Sequence, residues 1–282
     1  MKKAAVLIYI AIIFAAMFHT SAFAEDSAKK QHPFLLIEQS DFEELRARGD
    51  KSPWKEMKQD AIKTARETNY NPASGVSIQQ RSNELNELMS ANSLAYILDT
   101  ENKQLYINNL MKLVGFWESG TEKNLYDELY QSSSGPWDNT IPPAGAFTST
   151  VLAFDIVYPD LTEKQREKAE KIMSEVAGHY GRIMESHQVG VYGVRGLWAA
   201  YNGDIEDMKL QMEGWLKYYD AYVTASGAGT PGMAYALDRF TTATRLSKQI
   251  MPMLMRSVGN DNEFYEKESN KMFAEWVLGY TY

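Results

Sequence analysis

The chain has 282 residues, no cysteine and a formal net charge of −8. Its acidic balance and the lack of a basic stripe argue against a nucleic-acid partner, and the absence of cysteine excludes disulfides and thiolate metal sites. The length suffices for one large domain with its own core, and 17 tyrosines and 6 tryptophans can fill that core or line a ligand cleft.

The first 24 residues are typical of a secretory signal peptide. Lys2 and Lys3 precede an apolar run over residues 4–18, and Ser21-Ala-Phe-Ala24 ends in the small-x-small pattern of a cleavage site. We therefore expect cleavage after Ala24 and a secreted or periplasmic protein. The apolar run is short for a membrane span, so no membrane association is expected once the signal is removed.

The chain after the signal begins with a polar stretch and two short helices. Residues 25–32 are expected to form a flexible lead-in, and residues 33–282 to form the domain. The apolar segment Pro33–Ile37 should dock on that domain. Ser40-Asp-Phe-Glu43 has the form of a capping box for a helix that stops at Gly49, and Ser52-Pro-Trp54 predicts a helix to about Arg66 with Ser52 as its N-cap.

From Ser77 onward, apolar residues recur at helical spacing and polar turns separate the helices. No run alternates as a strand would, so the fold class is all-α. Successive pairs of about 40 to 50 residues suggest antiparallel hairpins stacked in a ring or solenoid. The predicted helices end or begin near the turns at 99–102, 158–162 and 202–204, and further helices are expected over 205–223, 233–256 with Pro252 as a kink or new start, and 263–278.

Two long irregular stretches interrupt the helices. One is Ser119–Pro143, which contains Trp137-Asp-Asn139, and the other is Thr224–Gly232. Loops of this length in a compact domain are usually functional or disordered. A ring places successive loops between hairpins at one end, which would bring Trp137-Asp-Asn139, Tyr192–Arg195 and Tyr235–Arg239 to one cleft.

The stretch Val189–Asp204 carries a tyrosine and an arginine among glycines. Tyr192 and Arg195 share one helix face at this spacing, and three glycines (190, 193 and 196) remove side-chain bulk next to them. Two interpretations stay open. The glycines leave room for a large ligand in front of a phenol and a guanidinium, or they permit tight helix packing.

Several segments spread over most of the chain carry a family resemblance. They are His32-Pro-Phe-Leu-Leu-Ile37, Asp41-Phe-Glu-Glu-Leu-Arg46, Pro53-Trp54, Ala95–Lys103, Ala153-Phe-Asp-Ile-Val-Tyr158 with Leu161–Gln165, Trp198–Asp204 and Gly229–Tyr235. Together they resemble the α/α-toroid domain of bacterial polysaccharide lyases of the alginate, heparinase and chondroitin AC lyase type. The Trp137-Asp-Asn139 loop and Gly193-Val-Arg-Gly-Leu-Trp198 are most similar to the glucuronan or alginate lyase branch.

The sequence departs from that family in two ways. Many relatives carry an adjacent Asn-His pair, which this chain lacks, so the candidate cleft histidine is His187. Relatives also continue beyond the point where this chain stops at Tyr282. The resemblance therefore predicts an incomplete (α/α) toroid of antiparallel helical hairpins, which is either shortened at its C-terminus or a compact variant.

The resemblance implies β-elimination at a uronic acid. A base removes the proton on C5, next to the carboxylate, and the bond to the 4-oxygen breaks. The carboxylate has to be neutralised for this, by hydrogen bonds that strengthen in the transition state. Asn139 can donate to it, and Arg195 or Arg239 can pair with it in a bidentate manner.

A tyrosine is the expected proton shuttle, and a neighbouring arginine supplies the required lowering of its pKa from about 10. Tyr192 precedes Arg195 by three residues and Tyr235 precedes Arg239 by four; Tyr192 is slightly favoured. His187 is an alternative base. Each of these residues also has a structural interpretation, as a core aromatic, a helix cap or a surface charge.

The resemblance also implies the partners. Trp137, Asp138 and Trp198 are predicted to contact an acidic polysaccharide substrate, and the protein is expected to be a monomer. No cofactor is required, although some toroid lyases hold an accessory divalent cation.

Two rival functions stay open. One is a toroid that binds glycans or hydrolyses them with paired carboxylates, for which Asp138 with Asp238 or Glu118 could be nominated. The other is a shortened lyase without activity.

Overall fold

A computed structural model describes residues 31–71, 76–118, 120, 141–180, 188–222 and 246–257, together with 266–268, 271, 272 and 275. All regular structure in these residues is helical, which confirms the predicted all-α class. None of the helices in these ranges is both long and apolar enough to cross a membrane. The α-helices are α1 Phe42–Gly49, α2 Trp54–Arg66, α3 Ile78–Leu98, α4 Lys103–Val114, α5 Ile141–Val157, α6 Glu163–Tyr180, α7 Gln188–Tyr201, α8 Ile205–Tyr222 and α9 Leu246–Ser257.

The caps of the first two helices differ from those predicted. A 3₁₀ turn at Gln39–Asp41 precedes α1, and the backbone N–H of Glu38 donates to the Asp41 carboxylate at 2.8 Å. The reciprocal capping therefore starts at Glu38 and not at Ser40. In α2 the N-cap is Pro53, one residue after the predicted Ser52.

Later caps agree with the sequence patterns. The Ser77 hydroxyl accepts the backbone N–H of Gln80 at 3.2 Å and so begins α3. At the start of α6, the backbone N–H of Gln165 donates to the Thr162 hydroxyl, and the Gln165 side chain accepts the Thr162 N–H at 2.9 Å. Both caps satisfy amide groups that the first turn of a helix leaves open.

Helix α5 forms the centre of the core. Every residue from Pro143 to Val157 is buried, because small and apolar side chains cover all sides of the helix. The hydroxyls of Thr148 and Thr150 donate to carbonyls four residues earlier, which satisfies them without solvent. The helices that pack against α5 include α3, α4, α6, α7 and α9.

Helices α3 and α5 run in the same direction. Asn86 and Ser149, each the ninth residue of its helix, are joined by a side-chain hydrogen bond. Toward the other end, the Tyr96 hydroxyl donates to Asp160, just beyond α5, at 2.8 Å. Two contacts that advance together along both helices require a parallel pair.

The intervening helices return in the opposite direction. In α6, Arg166 lies over the Tyr158 ring at the end of α5, whereas the Tyr180 ring stacks on Phe147 near its beginning, with 6.1 Å between ring centroids. Helix α4 likewise starts beside Asp160, to which Lys103 donates at 2.9 Å. These contacts make α3–α4 and α5–α6 antiparallel hairpins, as predicted from their short turns.

Helices α7 and α8 form the third hairpin. Gly203 turns the chain with a φ of +71°, a conformation that favours glycine. Helix α7 packs against α5 with the carboxyl ends adjacent, since the Tyr158 and Tyr201 rings lie 6.3 Å apart. Helix α9 packs on α7 and continues through Pro252, so the predicted interruption lies inside one helix.

The described helices thus form two rows. The parallel helices α3, α5 and α7 lie side by side, with α4 and α6 packed outside them. We call the side with the turns 99–102, 158–162 and 202–204 the carboxyl end, and the opposite side the amino end. Residues 33–37 dock at the carboxyl end as expected, with Leu35 and Ile37 buried.

Candidate functional site

A cleft of about 550 Å³ opens at the carboxyl end. Its walls come from the segment before α1, the turn after α5, the first half of α6 and the turn after α7. Polar and aromatic side chains are mixed in its lining, which consists of Gln31, His32, Phe34, Gln39, Tyr158, Pro159, Arg166, Glu170, Tyr201, Asn202 and Gly203.

A buried aspartate fixes one wall of this cleft. The Nδ1 atom of His32 lies 2.6 Å from Oδ1 of Asp155, and the backbone N–H groups of Phe34 and Leu35 donate to the same carboxylate at 3.2 and 3.1 Å. Burial raises the pKa of Asp155, and these hydrogen bonds act against that rise. Asp155 therefore clamps the N-terminal segment onto α5 and sets the orientation of the His32 ring.

His32 belongs to the segment predicted to be a flexible lead-in. Its bond to Asp155 and its ring contacts show that fixed structure starts at least one residue before Pro33. The physical reason is the buried carboxylate, which needs donors that α5 itself does not supply.

Aromatic rings form the floor of the cleft. The His32 ring centroid lies 4.2 Å from that of Tyr158 and 4.6 Å from that of Tyr201, and Trp198 stacks on Tyr201 at 5.4 Å with 10° between the planes. Burial, together with the nearby carboxylates of Glu170 and Asp155, raises the pKa of Tyr201. Tyr201 therefore stays protonated near neutral pH and offers a ring face and a hydroxyl, not a base.

Arg166 brings a positive charge to the same cleft. Its guanidinium carbon lies 4.5 Å from the Tyr158 ring centroid, a cation–π distance. Within the described part of the chain, its buried Nε atom has no hydrogen-bond partner. Glu170, one turn further along α6, lines the same cleft, and its carboxylate is one of the groups that raise the pKa of Tyr201.

No model of a known protein family and no curated protein matches the chain.

Three of the predicted site residues lie on α7. Tyr192 packs its ring against Gly214 of α8, so closely that a Cβ on Gly214 would lie 2.5 Å from Cε1 of Tyr192. The Nη2 atom of Arg195 lies 3.8 Å from Oδ1 of Asp207, and both side chains are about one-third exposed. Tyr192 and Arg195 thus both face α8, one turn apart, while Trp198 lies toward the carboxyl end against Tyr201.

One of the predicted open positions is filled. A Cβ on Gly196 would lie 2.7 Å from the sulfur of Met251, so α9 occupies the space in front of this glycine. At Gly196 the structure supports tight helix packing and not ligand access.

The remaining predicted site residues lie outside the described residues. They are Trp137, Asp138, Asn139, His187, Tyr235 and Arg239, and the same holds for Asp238. Glu118 is described, and its carboxylate lies 3.6 Å from the amino group of Lys168.

Sequence reasoning missed the cleft around His32, although a signal was available. Asp155 is a charged residue in the apolar run Ala153-Phe-Asp-Ile-Val157, and such a residue needs partners when it is buried. The pattern shows that Asp155 needs hydrogen-bond partners. It does not show which residues supply them, because His32 lies 123 residues away.

The described residues hold no group of three or more histidine or acidic side chains placed to bind an ion.

Proposed function

We propose that the chain is an exported polysaccharide lyase that cuts a uronate-containing polymer of the glucuronan or alginate type by β-elimination. The observation that carries the proposal is the parallel direction of α3, α5 and α7. Segments that lead into parallel helices approach them from the same end. In the chain, Asn139 precedes α5 by two residues and His187 directly precedes α7.

The double row of hairpins supports an incomplete α/α toroid. In such a fold the helices of one row line the centre, and those of the other row cover it. Helices α3, α5 and α7 are neighbours in one row, with α4 and α6 outside them. Further hairpins would extend this arrangement to a ring.

The proposed chemistry combines residues of α7 with residues that precede α5 and α7 in the chain. Asn139 and Arg195 neutralise the uronate carboxylate, and Tyr192 removes the C5 proton and returns a proton to the leaving 4-oxygen. Asp207 lies 3.8 Å from the Arg195 guanidinium and holds it on the α8 side of α7, the side on which Tyr192 contacts Gly214. Tyr235 with Arg239 is the second candidate pair, and His187 is an alternative base.

Ultraviolet absorbance tests the proposal directly, since elimination creates a C4–C5 double bond conjugated with the carboxylate. The secreted protein is incubated with glucuronan, alginate, heparan sulfate and chondroitin. We expect absorbance to rise with one polymer. Tyr192→Phe should lower the rate by about 10²- to 10⁴-fold, the usual contribution of a general acid or base.

Tyr106→Phe is the matched control, because it removes a phenol hydroxyl on α4, where the partner is Asp99. It should keep the elimination rate. Absence of absorbance with every polymer, from protein with a helical circular dichroism spectrum, would overturn the lyase proposal. Full rates in both Tyr192→Phe and Tyr235→Phe would overturn the assignment of a tyrosine shuttle.

A further inference from the structure

We propose that the cleft at the carboxyl end is a second saccharide site, which holds a uronate unit without cleaving it. It lies at the opposite end of α5 from the residues that lead into α5 and α7. Since α5 has 17 residues, the two ends are about 25 Å apart. The inference uses only residues of the cleft and stands independently of the elimination chemistry.

The charge of Arg166 points to an anionic group on the ligand. The guanidinium rests on the Tyr158 ring, which supports it from one face and leaves its edge for hydrogen bonds. A carboxylate is the planar acceptor that pairs with two nitrogens of a guanidinium edge together.

The aromatic floor points to a sugar ring as the rest of the ligand. His32, Tyr158 and Tyr201 pack against one another within 4.2 to 6.3 Å, so the floor is held in place before any ligand binds. Asp155 fixes the His32 ring from behind. Rigid ring faces of this kind stack with the apolar face of a pyranose at little entropic cost.

Polar groups around the floor match the hydroxyls of the same sugar. Gln39 and Asn202 supply amides, and Glu170 supplies a carboxylate. Glu170 opposes an anion, whereas Arg166 attracts it. The two charges lie one helical turn apart, so a uronate fits with its carboxylate toward Arg166 and its hydroxyls toward Glu170.

Such a site would retain the polymer near the proposed catalytic residues. One contact with a long chain makes the next one intramolecular and raises the local concentration of substrate. A net charge of −8 gives no long-range attraction to an acidic polymer, so a local arginine has to supply it.

The test compares two small sugars that differ in one group. Methyl β-D-glucuronide carries the carboxylate, and methyl β-D-glucoside has a neutral hydroxymethyl in its place; neither bears a glycosidic bond at the 4-oxygen that elimination could break. Binding to the full chain is measured by ligand-observed nuclear magnetic resonance. We expect the glucuronide to bind about tenfold more tightly than the glucoside.

Arg166→Gln should remove this preference. Arg166→Lys should keep part of it, because a lysine retains the charge but lacks the two parallel donors of a guanidinium. Lys164→Gln is the matched control, since it removes the same charge from an exposed position on the same helix. It should leave both affinities unchanged. The thermal midpoint of each variant shows whether it is folded.

Equal binding of the two sugars to the native chain, or an unchanged preference in folded Arg166→Gln, would overturn the proposal. Elimination is read separately by absorbance on polymer. A lyase that fails the glucuronide test loses only the second site, and a protein that binds glucuronide through Arg166 without producing absorbance loses only the proposed activity.

Discussion

Tyr192, a candidate catalytic residue on α7, packs its ring where a side chain at position 214 of α8 would lie. Its position therefore depends on a glycine at 214. Gly214→Ala would put a methyl group 2.5 Å from Cε1 of Tyr192, so the ring or the helix has to move. We expect a loss of about 1 to 3 kcal/mol in the free energy of unfolding, as in other overpacked cores. Urea unfolding measures the loss.

Gly178→Ala is the control for this change, because it is also a helical glycine but its added Cβ meets nothing within 4 Å. Alanine is the better helix former, so this variant should be more stable by about 0.5 to 1 kcal/mol. Equal effects at the two positions would contradict the close packing of Tyr192 on α8. If Tyr192 is the proton shuttle, Gly214→Ala should also lower the elimination rate.

At the residue scale, local pattern predicted which side chains share a face but not what they contact. Tyr192 and Arg195 do lie along one face of α7, yet their partners Gly214 and Asp207 belong to another helix. Spacing fixes the angle between side chains on one helix. The neighbouring helix and its register are decided by packing, which one helix does not encode.

At the element scale, side chains from two neighbouring helices and a turn donate hydrogen bonds to Asp99, which lies between α3 and α4. Its carboxylate accepts from the Tyr106 hydroxyl at 2.5 Å, from Asn102 at 3.1 Å and from Arg66 at 2.8 Å. Burial alone would raise the pKa of Asp99, but these hydrogen bonds outweigh it and hold the pKa below its ordinary value. The ionised carboxylate therefore ties α2, α3 and α4 together.

A pH dependence follows from this shift. A carboxyl group with a lowered folded pKa contributes stability above its unfolded pKa, near 4, and that contribution is lost as pH falls through the lower folded value. Asp99→Asn should therefore cost about 1 to 3 kcal/mol at pH 7 and flatten the fall in stability between about pH 5 and pH 2. Urea titrations across this range measure both effects.

Glu101→Gln is the control for the Asp99 variant, as it removes an exposed carboxylate from the same turn. It should change neither the free energy of unfolding at pH 7 nor its fall at low pH. If stability falls equally at low pH in Asp99→Asn and in the native chain, Asp99 is not the cause of the pH dependence of stability.

Element boundaries were predicted best where a cap is purely local. Ser77 and Thr162 bond to backbone within three residues, so four letters of sequence suffice to find them. The caps expected at Ser40 and Ser52 were displaced. Residues 33–37 dock on the core just before Ser40, and such a tertiary contact is not visible in four letters of sequence.

At the scale of the whole molecule, the parallel direction of α3 and α5 can be tested with a single bridge. Asn86 and Ser149 are in hydrogen-bond contact. Replacing both by cysteine in a chain with no cysteine of its own leaves only one possible intramolecular pair. We expect oxidation to form that disulfide, so that a thiol reagent finds no free thiol and the thermal midpoint rises.

Pairing Asn86→Cys with Thr148→Cys is the matched control. Thr148 neighbours Ser149 in sequence, but its side chain turns back to the carbonyl of Ala144 on its own helix. This pair should retain two free thiols under the same oxidation. A bridge in the control, or none in the test pair, would contradict the parallel register.

Hairpins and class could be predicted at this scale, since short polar turns between periodic segments imply antiparallel neighbours. The order of the hairpins in space and the cleft at the carboxyl end could not. Both depend on contacts such as His32 with Asp155 and Tyr96 with Asp160, which join residues 123 and 64 positions apart.

The clamp at Asp155 also has a consequence for biosynthesis. His32 leaves the ribosome long before its partner exists, because 123 positions separate the two residues. At about 5 to 20 residues per second, the N-terminal segment waits roughly 6 to 25 seconds for α5. During that time His32 and the backbone N–H groups of Phe34 and Leu35 lack the carboxylate that accepts them. The N-terminal segment therefore reaches its final position only after α5 has been made.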